Sequence, residues 1–139
     1  MKVLFVVNME DLGFEEPLGV SYLSAMCKMN NHSVYAVENS VARIEEKIES
    51  VKPDLLAASV LTPSFSYMYE TVSRVKDRVD IPTVFGGPHI TFFPEIVKRK
   101  AIDYGFMGEG EEVFTEFLDL LERNKPIDEV DNLVVKDGG

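Results

Sequence analysis

The sequence is short of cysteine, of basic residues and of long apolar runs, and each shortage removes a class of protein. Cys27 is the only cysteine, which excludes an internal disulfide and a cysteine-built metal site. A reducing, cytoplasmic setting follows as the default. Lysine and arginine number 14 against 24 aspartates and glutamates, a formal charge of −10. That surplus repels nucleic acid phosphates and anionic membrane, so neither is an expected partner. It suits a solvated surface, or an acidic face that docks a basic partner domain. No apolar run approaches the ~18 residues of a spanning helix. The apolar start, MKVLFVVN, is too short for a leader and no small-residue cleavage site follows it, so it reads as a strand. Internal repeats, linkers and low-complexity segments are also missing.

What is there is an alternation of strands and helices. The 139 residues fit one domain, 1–139, and at this size the core needs no disulfide or metal. Val3 to Val7 is a continuous apolar run, the mark of a strand buried on both faces. A long acidic loop, Met9 to Glu16, follows, and Pro17 suits the first turn of a helix. Leu18, Tyr22, Leu23, Ala25, Met26 and Met29 recur at helical spacing, and Asn30-Asn31 ends that helix. Ser33 to Val37 is a second strand; Val41, Ile44, Ile48 and Val51 mark a second helix with Ser40 as its cap. A third strand is expected from Leu55 to Leu61, then a helix carrying Tyr67, Met68, Thr71, Val72 and Val75. Thr83 to Phe85 forms a fourth strand that runs into Gly86-Gly87, followed by a short helix near Pro94 to Lys100. Ile102 to Met107 is the fifth strand, Glu111 to Glu122 the last long helix, and Leu133 to Val135 a small extra strand before a turn at Asp137-Gly138.

Five βα units in a row imply a flavodoxin-like (Rossmann-like) α/β fold: a doubly wound, five-stranded parallel sheet of order 2-1-3-4-5 in a three-layer αβα sandwich. Ligands bind such sheets outside the carboxyl ends of the strands, at the switch point. The loops after strands 1, 3, 4 and 5 are therefore the functional candidates.

After strand 3, Ser59 and Thr62 put small hydroxyls at the strand's carboxyl end. They can bond a ligand, or cap the next helix as Ser64 and Ser66 also can. After strand 4 come Gly86-Gly87-Pro88-His89-Ile90-Thr91. Two glycines remove two Cβ atoms, which permits positive φ and lets a bulky ligand approach the backbone. A lone histidine here is poor grounds for a metal site, and His32 falls at the sheet's opposite end. After strand 5, Gly108-Glu109-Gly110-Glu111-Glu112 opens a helix. This is no dinucleotide fingerprint: Val113 stands where the third glycine belongs, and three carboxylates would repel a pyrophosphate. Glu111 and Glu112 suit a first helical turn, while Glu109 and Glu111 can also bond ligand hydroxyls or amides. A phospho-accepting receiver is excluded, because strand 3 ends without an aspartate and strand 5 without a lysine.

PLGVSYL, SVLT, GGPHIT and, about twenty residues on, GEGEEVF together resemble the N-terminal cobalamin-binding domain of cobalamin-dependent radical SAM enzymes. The resemblance covers essentially the whole chain. Ser59-Val60-Leu61 matches the S-x-L and Gly86-Gly87 the GG of cobalamin domains of the methionine synthase type. Their D-x-H-x-x-G histidine is missing, since Asn8 to Gly19 contains none. The resemblance implies cobalamin held with its own base displaced and no histidine on cobalt, the lower face left to water or to no ligand. It implies that Ser59 bonds the displaced dimethylbenzimidazole tail, with Leu61 and Thr62 lining its channel. Gly86 and Gly87 leave room for the tail. Pro88, His89 and Thr91 shape the rim, and Gly108, Glu109 and Gly110 meet corrin amides. It further implies a longer protein, in which a separate barrel carries S-adenosylmethionine and a 4Fe-4S cluster on a C-x-x-x-C-x-x-C motif that this chain lacks. The complete protein would then transfer a methyl group or perform related radical chemistry. The other reading is an interaction domain that keeps the fold and a vestigial site.

Overall fold

The computed structural model describes residues 1–8 and 18–136. The loop Met9 to Glu16, Pro17 and the Asp137-Gly138 turn lie outside them. The elements run β1 (Lys2–Val7), α1 (Leu18–Met29), β2 (Ser33–Glu38), α2 (Val41–Val51), β3 (Leu55–Ser59), α3 (Phe65–Lys76), β4 (Thr83–Gly86), α4 (Pro88–Phe92), β5 (Tyr104–Phe106), α5 (Glu111–Glu122) and β6 (Leu133–Val135). Short 3-10 turns cover Thr62–Ser64 and Pro94–Lys98.

The sheet order is β2-β1-β3-β4-β5-β6. The first five strands are parallel, in the expected 2-1-3-4-5 order, and β6 pairs antiparallel with β5. Side chains along the strands alternate between two cores, as the period of a strand requires. Leu4, Val6, Leu56, Ala58 and Phe85 pack with Ile44 and Ile48 of α2 and with Met68 and Val72 of α3. Val3, Phe5, Leu55, Ala57 and Val84 pack with Cys27 of α1 and with Phe114, Phe117 and Leu118 of α5. The continuous apolar run of β1 is thus covered on both faces, with Val3 to Val6 at most 2% exposed.

Several boundaries differ from the sequence reading. β3 stops at Ser59 instead of Leu61, because the chain turns at Thr62-Pro63-Ser64 and leaves Leu61 42% exposed. β5 is trimmed to Tyr104–Phe106. The GGPHIT segment is itself helical: Pro88 opens α4, where its missing N–H costs nothing. In α1 the buried stripe is Val20, Leu23 and Cys27, so Tyr22 and Met29 fall on the opposite side and are 56% and 78% exposed. Tyr67 is likewise outside the α3 stripe and donates to the Asn39 carbonyl at 3.4 Å. No helix among the described residues is long and apolar enough to cross a membrane.

Candidate functional site

The carboxyl ends of β1, β3, β4 and β5 enclose a cavity of about 60 Å³ between the sheet and helices α1 and α5. Its floor is apolar, from Phe5, Ala57, Val84 and Phe106, and its sides are Leu23 of α1 and Phe114 of α5. Ser59, Gly86, Gly87, Gly108 and Gly110 stand around its upper part. The Ser59 hydroxyl is exposed and makes no hydrogen bond to the described residues. Strand alternation puts Phe5 and Ala57 on one face. Leu23 and Phe114 carry no such signal, because only the packing of two distant helices brings them together.

The two glycines of β4 have different reasons to be glycine. Gly87 has φ 93°, and a Cβ there would come within 2.9 Å of both the Val60 nitrogen and the Val60 oxygen. The turn itself therefore demands glycine, whatever is bound. A Cβ at Gly86 would meet only Phe106, at 3.9 Å. Gly86 is free of strain and leaves its space to the cavity.

The residues after the glycines brace the neighbouring loops. The Val60 amide donates to Gly86 oxygen (2.9 Å) and the His89 amide to Val60 oxygen (3.1 Å), fixing the β3 loop to the β4 loop. His89 Nδ1 lies 3.1 Å from Thr62 Oγ1. The imidazole stacks on Phe65 with centroids 4.2 Å apart and leans on Phe93 at 5.0 Å. Burial, and then the Arg99 charge, hold its pKa below the ordinary histidine value. A neutral, stacked ring packs the rim. Thr91 donates to the Gly87 carbonyl (3.1 Å) and accepts from the Gly108 amide (2.8 Å).

The structure thus gathers Ser59, Gly86, Gly87, Gly108 and Gly110 at one cavity. Leu61 and Thr62 lie at the turn after β3 and Pro88, His89 and Thr91 in α4, and none of them lines it. Glu109 borders a separate surface depression with Tyr22, Glu111 and Glu112. Gly110 precedes α5 without a side-chain cap, so the first-turn carboxylates Glu111 and Glu112 answer the helix dipole. Thr62 and Ser66 make no capping bond, and Ser64 Oγ donates to Leu61 oxygen (3.2 Å) instead of capping α3.

The family model for the B12 binding domain matches residues 6–118, and the chain belongs to that family. An uncharacterized methyltransferase of Pyrococcus horikoshii is 31% identical over 134 residues, 88% of this chain and 28% of that protein. The anaerobic magnesium-protoporphyrin IX monomethyl ester cyclase of Rubrivivax gelatinosus is 31% identical over 140 residues, 90% of this chain and 25% of that protein. The chain spans about a quarter of the length of these curated relatives. Among solved structures, the apo cobalamin-dependent S-adenosylmethionine radical enzyme OxsB has a TM-score of 0.77 at 18% identity, over 98% of this chain and 20% of that one. The resemblance carried by PLGVSYL, SVLT, GGPHIT and GEGEEVF is borne out, and so is the doubly wound fold.

Proposed function

We propose that this chain is the cobalamin-binding module of a radical SAM enzyme and holds its cofactor base-off, with no histidine on cobalt. The observation that carries the reading is the apolar slot beneath Ser59, Gly86 and Gly87 in a B12 binding domain. The residues at hand fit a displaced nucleotide base. The slot is lined by Phe106 and Phe114, Gly86 withholds a side chain, and Ser59 offers a hydroxyl without a partner among the described residues. Pro88, His89 and Thr91 shape the rim. Leu61, Phe92 and Phe93 are exposed apolar residues after β3 and β4, surface that a corrin face or the barrel domain would cover. Gly108, Glu109 and Gly110 offer backbone and carboxylate partners for corrin amides.

The histidines of this chain support a cobalt without a histidine ligand. The loop 8–19 has none; His32 packs at the amino end of the sheet against Asp119; His89 is engaged with Thr62 and Phe65. When bound, the cofactor supplies a cobalt centre for methyl transfer or related radical chemistry, with S-adenosylmethionine and the 4Fe-4S cluster on a further domain of a longer protein. This chain's share is to bind, orient and shield.

Titration with hydroxocobalamin, followed by the visible spectrum and gel filtration, tests the reading. A base-off spectrum that stays with the protein is the expected result. A base-on spectrum would remove the tail slot. No retention at high micromolar cobalamin would favour the cobalamin-free interaction domain.

A further inference from the structure

The two sides of the cavity mouth are held by different kinds of bond. On the β3–β4 side the ties are backbone to backbone, from the Val60 amide to Gly86 oxygen and from the His89 amide to Val60 oxygen. Only proline at Val60 or His89 would remove them. On the β4–β5 side, beyond the strand ladder, no backbone hydrogen bond joins 87–91 to 107–110 among the described residues. The Thr91 hydroxyl spans that gap, donating to Gly87 oxygen at 3.1 Å and accepting from the Gly108 amide at 2.8 Å. Both glycines line the cavity and both have positive φ, 93° and 65°, a region that favours glycine. Thr91 itself is not in the cavity wall.

We infer that Thr91 is a positioning residue: its hydroxyl sets the width of the cavity mouth between the Gly87 and Gly108 loops, and so selects the flat nucleotide base of the ligand without touching it. The inference rests on the cobalamin reading above and adds a residue that governs the tail and leaves the corrin ring alone.

The test compares the wild type, Thr91→Val and Thr91→Ser. Valine keeps the branched shape and deletes both hydrogen bonds; serine keeps the hydroxyl. Each protein is titrated with hydroxocobalamin and with cobinamide, the corrin that lacks the nucleotide base. Thr91→Val should lose roughly three- to tenfold in cobalamin affinity, the worth of a neutral hydrogen bond, with cobinamide affinity unchanged and Thr91→Ser restored to wild type. The Gly108 amide should exchange with deuterium faster in ligand-free Thr91→Val, a measurement that needs no cofactor. Equal loss for both corrinoids, undiminished cobalamin affinity, or unaltered Gly108 exchange would overturn the inference. A wild type that binds neither corrinoid sinks the cobalamin reading, and this inference with it; a wild type that binds cobalamin beside an unaffected Thr91→Val sinks this inference alone.

Discussion

At the amino end of the sheet, Asp103 accepts from Lys76, from the Thr83 amide at 2.8 Å and from the Thr83 hydroxyl at 3.1 Å, while that hydroxyl also reaches Ala101 oxygen. Burial works to raise the Asp103 carboxyl, but these bonds outweigh it and hold the group below the usual carboxylate range. The Lys2 amide donates to Asp54 at 2.7 Å and the Asp54 amide returns to Lys2 oxygen at 2.8 Å. At the carboxyl end the pattern reverses. Among the described residues the Ser59 hydroxyl has no hydrogen-bond partner, Gly108 and Gly110 would meet nothing within 4 Å if they carried a Cβ, and Phe92 is 74% exposed. The same strands are thus tied off at one end and left with unused bonding capacity at the other. Parallel strands make this possible, because every βα loop of the sheet emerges on one side. The carboxyl-end loops are braced to one another, yet they keep open space and a spare hydroxyl at the cavity, and that is what can take an external partner.

The most severe single change falls within the carboxyl end itself. Gly87→Val forces a Cβ to 2.9 Å from the Val60 backbone at a φ of 93° and should cost about 3 kcal/mol or more of stability. Urea unfolding reads this directly, and an unshifted midpoint would mean that the turn does not need glycine. The resemblance makes Gly87 a place for the ligand tail; the close approach to Val60 makes it a folding residue as well.

At the amino end, Asp103→Ala strands Lys76 and Thr83 and should destabilise by about 2 kcal/mol, without changing corrinoid affinity in the folded protein. A loss of affinity there would mean that the two ends are coupled.

Gly86→Val inverts the Gly87 result. Its Cβ is clear of everything but Phe106 at 3.9 Å, so the unfolding midpoint should hold. The added side chain takes cavity space, and cobalamin affinity should fall more than about tenfold, some 1.4 kcal/mol. Retained affinity would put the tail elsewhere. Ser59→Ala is gentler, with about 1 kcal/mol of binding lost and stability unmoved; an unchanged dissociation constant would take Ser59 out of the site.

The smallest expected effect is a pH dependence. Because burial and Arg99 lower the His89 pKa from 6.5, the folded state favours the neutral ring. As pH falls, the unfolded chain gains that proton first. His89 therefore contributes its stability fully above the ordinary value, and the contribution is lost as pH falls from about 6.5 through the folded pKa. Urea midpoints between pH 7 and about 5 should decline less steeply in His89→Gln than in the wild type. Parallel declines would assign the titration to other groups.

Much of the site's location was legible because it depends on local rules. Strand ends announce themselves where apolar runs meet Gly86-Gly87 or Gly108-Glu109-Gly110, and α5 could be bounded to the residue from its periodicity alone. Helix α4 was not legible, since GGPHIT reads as a turn until Thr91 and Phe93 find carbonyls at Gly87 and His89. Nor was the exposure of Tyr22 and Met29, because which stripe of α1 faces the sheet is decided by Cys27 packing against β1 and α5.

By itself the sequence determined the strand order, the parallel sheet and the loops that line the candidate site, because hydrophobic period and turn chemistry act over a few residues. Only the tertiary structure decided what each loop residue is for. It gave Gly87 to the protein's own backbone and Gly86 to the cavity, turned His89 into a stacked brace, and set Thr91 across two loops. Those roles are distances between segments far apart in the chain, and no local rule contains them.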